Sequence, residues 1–254
     1  MMLKLTMELI SMKYINKYQS FWHKNLSIQK DFFQNNTFTQ TSSGTYLDKY
    51  KDFFFIFQDL NHGSICISAN NEKLQLLNKT KEFEYKNLDA IKKSFIKNNY
   101  NLIYEDFDMY LNYQLIKPIS PDKIYTLHKY NSSDKNLVID FINTLNEEDK
   151  DILDLNDNFS ELEIWYFKFN NQIVSIGTYF TFTQNNKITD ITLVTKEDFK
   201  NKKLATNILF EILNDIVQKN LVPRYRVAID NLPSIKIAEK LGLSKYNKIL
   251  AFSQ

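Results

Sequence analysis

The chain has 254 residues, 43% of them hydrophobic and 15% aromatic, and a formal charge of +2. That length and apolar content suit a folded protein with a sizeable core and exclude a disordered chain. The near-neutral balance argues against a nucleic-acid partner. The single cysteine, Cys66 between Ile65 and Ile67, excludes an internal disulfide and reads as a small buried hydrophobe.

The opening stretch, MMLKLTMELISMKYINKYQSF, is interrupted by Lys4, Glu8 and Lys13. It therefore holds neither a membrane-length span nor a signal-peptide core, and a cytoplasmic protein with no membrane association is expected. Over residues 15–33 the positions of Phe21, Trp22, Leu26, Ile28, Phe32 and Phe33 predict a helix, and the polar run over 35–45 a loop. Two short strands, 53–57 and 64–68, are expected around a turn at Asn61, His62 and Gly63. Helices over 71–78 and 88–97 and strands over 102–105 and 109–115 complete this half. Pro118 and Pro121 then stop regular structure, which predicts a boundary between an α+β domain at 1–121 and a second domain at 122–254. With four Gly and four Pro in the whole chain, the turns must be built from Asn, Asp, Ser and Lys.

The second half predicts a strand at 123–129, helices at 136–145 and 147–153, and a hairpin of strands 161–169 and 172–182 around Asn170 and Asn171. A buried strand follows at 188–194, then a polar loop from Thr195 to Lys203 with four lysines. Beyond it Leu204, Ala205, Ile208, Leu209, Ile212, Leu213 and Ile216 recur on one helical face. A strand that turns into a helix in this way presents free N–H groups and the positive end of a helix dipole, which together make an anion site. The last stretch, LVPRYRVAIDNLPSIKIAEKLGL, reads as strand then helix.

Two pieces of this stretch, KNKKLA at 200–205 and NLPSIKIAEKLGL at 231–243, resemble the GNAT superfamily of acyl-CoA N-acyltransferases. Lys200, Asn201, Lys202, Lys203, Leu204 and Ala205 follow the family loop's pattern of Arg or Gln, two variable residues, Gly, one variable residue, and Gly or Ala in their basic opening and small close, with Lys203 in the place of the central Gly. Asn231, Ser234, Leu241, Gly242 and Leu243 match a second signature, in the branch that carries Ser and an Ala-Glu-Lys run before Leu-Gly. The resemblance covers roughly residues 122–254. It implies an α/β fold with a mixed sheet, and acetyl-CoA as cosubstrate; the three histidines, His23, His62 and His128, are scattered without ligand spacing, so no metal is expected.

By the same resemblance the backbone of Lys200 to Ala205 cradles the pyrophosphate, with Lys200, Lys202 and Lys203 in reach of phosphates. Leu193, Val194 and Thr195 hydrogen-bond the pantetheine arm where the fourth and fifth strands splay, and an N–H near Val194 serves the oxyanion. Asn231 and Ser234 touch the arm, or Asn231 or Asp230 caps the last helix. Asp190 is the candidate base, against the plainer reading of a surface Asp, and Glu163 is a poorer candidate. The family's Tyr acid falls on Ala238, so Tyr246 or a water is left to replace it. The implied activity is acetyl transfer to a small-molecule or peptide amine by direct attack, in a monomer or homodimer. The alternative is a degenerate CoA-binding sensor or interaction module. Finally, AIKKSFIKNNYNLIYEDFDMYL echoes SIKIAEKLGLSKYNKILAF, so the first half reads as a worn copy of the same fold or as chance similarity in a chain rich in Lys and Asn.

Overall fold

A computed structural model describes residues 2–42, 52–80, 83–111, 115–153, 159, 162–181 and 187–254, with side chains from residue 14 onward except at residue 30. Residues 43–45 of the expected loop, 112–114 of the expected strand, Glu161 and Phe182 lie outside them. The fold is mixed α/β. The chain forms two compact units: one comprises Met12–Met109, Val227–Asn231 and Lys245–Gln254, the other Met1–Ser11, Tyr110–Arg226 and Leu232–Ser244.

The unit that holds most of the N-terminal half is built on a strand covered on both faces. Helix α1 (Met2–Leu26) ends where Ser27 takes a positive φ, and a 3-10 turn follows at Lys30–Phe33. The single helix expected over 15–33 is thus two pieces, and its apolar spacing carries through the break because Ile28, Phe32 and Phe33 are still buried. Strand β1 (Phe38–Thr41) pairs in parallel with β3 (Ile65–Ser68), although a loop was expected there. Its sequence FTQT has one large apolar residue, too few to show a strand pattern.

Strand β2 (Phe54–Asp59) lies antiparallel to β3 and, on its other side, to the C-terminal strand Leu243–Ser253, with Asn247 opposite Asp59 and Phe252 opposite Phe54. The Phe57 ring sits 4.7 Å from that of Trp22 on one face. Phe54 and Ile56 join Phe95 and Phe252 in a separate cluster. Burial on both faces explains why the strand reads FFIF rather than alternating. Helices α2 (Asn71–Lys79) and α3 (Leu88–Lys97) lie where expected, and each starts at an Asn whose side-chain oxygen accepts a backbone N–H at 2.9 Å. Strand β4 (Asn101–Leu111) is continuous where two strands were expected.

The other unit carries the candidate site. Strands β5 (Thr126–Lys129), β6 (Glu163–Phe169), β7 (Gln172–Thr181) and β8 (Thr189–Thr195) form an antiparallel series. The expected strand at 123–129 is only its last four residues. Helices α4 (Lys135–Asn143) and α5 (Glu147–Leu153) close one face, where Val138, Phe141, Leu145, Leu153, Ile164, Tyr166, Ile176 and Val194 make one core. Helix α6 (Leu204–Gln218) buries Leu204, Ile208, Leu209, Ile212, Leu213 and Ile216. At roughly 1.5–3 kcal/mol for each buried aliphatic side chain, this stripe holds the helix to the sheet. Gly177 permits the close approach, since a Cβ there would lie 2.4 Å from Ile208 Cγ2 and 2.5 Å from Leu193 Cδ2. Strand β9 (Arg224–Ala228), helix α7 (Leu232–Lys240) and the C-terminal strand, β10, complete the order.

The scarcity of glycine is met as expected. Five asparagines, Asn99, Asn170, Asn171, Asn201 and Asn220, take positive φ, and Asn170 and Asn171 together close the β6–β7 hairpin. The two echoing segments also share local structure. Each is a helix (α3 or α7), a positive-φ residue (Asn99 or Gly242) and an 11-residue strand (β4 or β10). Cys66 is fully buried, which pushes its thiol pKa up. No helix among the described residues is long and apolar enough to cross a membrane.

Candidate functional site

The loop between β8 and α6 begins with a 3-10 turn at Glu197–Phe199, whose bonds end with Lys200 N–H donating to Glu197 C=O at 3.1 Å. After that the pattern stops. Among the described residues, the N–H groups of residues 201–206 meet no acceptor, and the next bond is Asn207 N–H to Lys203 C=O at 3.1 Å. The start of α6 has no side-chain cap. Free donors at a helix start, with the positive end of the helix dipole behind them, suit a negatively charged group. Asn201 (φ 63) and Lys203 (φ 66) turn the chain so that these groups follow one another around the bend. Lys203 thus keeps the left-handed conformation that glycine favours, without being glycine. The Lys200 ammonium is 2.5 Å from Glu197, whose hydrogen bond raises its pKa. Lys202 and Lys203 are exposed and form no ion pair among the described residues.

On β8 the backbone shows which groups are free. Lys196 N–H donates to Val174 C=O at 3.0 Å, and the antiparallel register runs Ser175 to Thr195, Ile176 to Val194 and Gly177 to Leu193. In such a ladder alternate residues face the partner, so the amide groups of Val194 point into β7, while those of Leu193 and Thr195 point the other way. Thr189 uses that other side to donate to Val222 C=O at 3.0 Å, and Ile191 is opposite Tyr225 in the parallel pairing with β9. Beyond Ile191 that pairing ends. Leu193 and Thr195 are therefore left with outward backbone groups and no register partner. The side chains sort the same way: Val194 is in the core with Phe141, and Leu193 lies on the Gly177 face.

The remaining expected residues scatter. Asp190 is 7% exposed, and its carboxylate lies 3.6 Å from the fully buried Arg224 guanidinium, so it is neither a surface group nor an unengaged one. Arg224 was missed in the sequence, although the signal was there: it and Arg226 are the only arginines among 32 basic residues. A planar guanidinium suits a buried ion pair better than lysine's ammonium does. Ser234 bonds the buried Tyr225 phenol, whose pKa is raised by desolvation against a smaller lowering from Ser234. Asn231 is exposed, its N–H donating to Ala228 C=O at 3.0 Å, and it falls in the other unit. Ala238 is fully buried, and Tyr246 is a core residue, its ring 5.4 Å from that of Tyr18.

Glu163 belongs to a network at the far end of α6. It bonds Lys219 and lies 3.0 Å from Lys129; Asp215 lies 3.2 Å from Lys129 and 2.8 Å from Lys219; and the Tyr179 hydroxyl donates to Asp215 at 2.5 Å. Each carboxylate there meets two lysines, which is the arrangement of a clamp rather than of a base. Asn207 was also missed. Its Nδ2 donates both to Lys203 C=O at 2.9 Å and to Ile119 C=O at 3.1 Å, and an Asn inside a first helical turn, where propensity disfavours it, was the available signal. Among the described residues no three His, Cys, Asp or Glu side chains converge as a metal site.

The sequence matches no curated protein. Solved structures similar to it include GCN5-related N-acetyltransferases from Kribbella flavida (9% identity, TM-score 0.47, 64% of this chain and 63% of that one) and Sphaerobacter thermophilus (12%, 0.49, 66% and 57%). A GCN5-related N-acetyltransferase-like protein from Streptococcus suis is also similar (13%, 0.47, 80% and 83%). The chain spans less than two thirds of the length of the first two. Residues 123–252, just over half of the chain, match the GNAT acetyltransferase family model, and the protein belongs to that family.

Proposed function

We propose that the protein is an acetyl-CoA-dependent N-acetyltransferase that moves the acetyl group to a primary amine by direct attack. The observation that carries this reading is the run of unmatched N–H groups from 201 to 206, a cradle for a diphosphate beside a strand edge with two residues of open backbone. The pantetheine arm pairs with Leu193 and Thr195 as an added strand would. Because the Val194 amide faces β7, the oxyanion donor is the N–H of Leu193 or Thr195 rather than that of Val194. The amine nitrogen attacks the thioester carbon, the C–N bond forms, the C–S bond breaks, and the amine's proton leaves to a base while the CoA thiolate takes one up. The acceptor is a small-molecule or peptide amine and the setting cytoplasmic.

A second reading is favoured by two particular residues. Ala238 is buried at the position where the resemblance implies a Tyr acid, and Asp190 faces Arg224. Both describe a fold that holds CoA without turning it over, as a sensor or interaction module. Thermal shift with acetyl-CoA, followed by thiol release across an amine panel, separates the two. A ligand at about a hundred times its dissociation constant adds roughly 2.7 kcal/mol of stability. A shift with thiol release supports the transferase, a shift without it supports the sensor, and no shift removes both.

A further inference from the structure

The stretch from Leu115 to Lys123 is held in place yet leaves its apolar side chains in water. It has no helix or strand. Ile116 N–H donates to Leu241 C=O at 3.2 Å, which fixes one end to the turn after α7. The Asn207 amide fixes the other end: it donates to Ile119 C=O at 3.1 Å while also donating to Lys203 C=O at 2.9 Å. Pro118 and Pro121 stiffen the chain between and beyond these anchors. On this strap Ile119 is 76% exposed and Ile116 53%. Lys117 and Lys123 flank Ile119, are exposed, and have no ion-pair partner among the described residues. Ile119 is the most exposed large hydrophobic side chain among the described residues, on a backbone that is nonetheless pinned. Its location narrows what could cover it, because a single carboxamide joins it to Lys203, within the bend whose N–H groups have no acceptor among the described residues.

We propose that this strap is the platform for the adenosine end of CoA, with Ile119 under the adenine face and Lys117 or Lys123 on the ribose phosphate. The assignment rests on the reading above, in which the diphosphate occupies the 201–206 bend and the pantetheine arm departs toward Leu193 and Thr195. The nucleoside leaves the diphosphate by its other end. The adenine ring is the ligand's one flat apolar face, and the ribose phosphate supplies the negative charge that the two unpaired lysines match. Asn207 then sets the spacing: it holds the platform at a fixed distance from the cradle, so that both halves of the ligand are met without a conformational search.

The test is calorimetric, with CoA, phosphopantetheine and adenosine bisphosphate as probes, on the wild-type chain and on Ile119→Ser, an exposed position whose substitution leaves the core untouched. The expected result is a roughly three- to tenfold weaker CoA affinity in Ile119→Ser, a similar loss for adenosine bisphosphate, and no change for phosphopantetheine. Asn207→Ala, which releases the strap, is expected to weaken CoA and to leave phosphopantetheine unchanged. An unchanged CoA affinity in Ile119→Ser, or an equal loss with phosphopantetheine, overturns the platform and leaves the cradle standing. Self-association of the wild type that Ile119→Ser abolishes, with CoA affinity unaltered, overturns it in favour of a second copy of the chain. Failure of the wild type to bind any of the three probes removes the cradle and the platform together.

Discussion

Lys203 holds a backbone conformation that its side chain opposes. A residue with a Cβ at φ 66 sits about 1–2 kcal/mol above its right-handed alternative, while glycine there costs about 0.5–1 kcal/mol in the unfolded chain. Lys203→Gly is therefore expected to raise stability by about 0.5–1 kcal/mol in urea unfolding, with CoA affinity retained, whereas Lys203→Ala keeps the strain and gains nothing. A loss of stability in Lys203→Gly would mean that the lysine side chain holds the bend by some contact stronger than the strain. Nothing about a lysine announces a left-handed residue, so this feature was legible only through the family pattern that places glycine there.

Asp190 and Arg224 make a second argument at the same scale. The guanidinium is fully buried and the carboxylate nearly so. Removing one partner strands the other, at a cost of about 3 kcal/mol. Asp190→Asn is expected to unfold earlier by that amount, and Asp190→Asn with Arg224→Met to recover most of it. If the double variant also recovers thiol release, Asp190 is a strut and not the base. If stability returns and turnover does not, the carboxylate acts in the chemistry. The sequence placed Asp190 on the right strand but gave no sign of its burial, since the partner comes from a strand 34 positions away.

At the scale of elements, the α6 helix and the β6–β7 hairpin were readable because each carries its own signal: a 3.6-residue apolar stripe in one, and two adjacent asparagines between alternating strands in the other. Strand β1 and the open edge of β8 were not, because a polar edge strand and an unmatched amide are defined by what lies beside them. The clamp at the end of α6 belongs to this second kind. Desolvation pushes the Glu163 and Asp215 pKa values up, but hydrogen bonds and charge from Lys219 and Lys129, with Tyr179 helping at Asp215, outweigh it and leave both below their ordinary 4.5 and 3.8. At Lys219 desolvation lowers the pKa, and Asp215, Glu163 and Tyr179 more than reverse it. Carboxylates with depressed values stabilise the fold above their unfolded pKa and lose that contribution as pH falls through the folded value. An ammonium with a raised value stabilises below 10.5 and loses its share as pH rises through the folded one. The melting temperature of the wild type is therefore expected to fall both below about pH 4.5 and above about pH 10.5, and Lys219→Met to flatten both limbs relative to the plateau. A profile of unchanged shape in Lys219→Met would show the clamp to be energetically silent.

For the whole molecule, a boundary near residue 121 and the two compact units make opposite predictions about a fragment. The prolines at 118 and 121 are local signals, and they mark the end of regular structure without recording which strands pair later. The pairing is decided at the C-terminus, where residues 247–252 lie antiparallel to β2 and bury Leu250 and Phe252 in the cluster with Phe54 and Phe95. A chain of residues 122–254 keeps α6, the lysine bend and β8, but leaves that last strand with an unpaired apolar edge, the usual start of aggregation. It is expected to be insoluble or to bind a hydrophobic dye without a cooperative melt, while the same fragment co-expressed with residues 1–121 is expected to yield a soluble complex. A monomeric 122–254 fragment that melts cooperatively would instead make residue 121 a true domain boundary. The C-terminal strand would then be an accessory of the first half, and not a condition for folding the second.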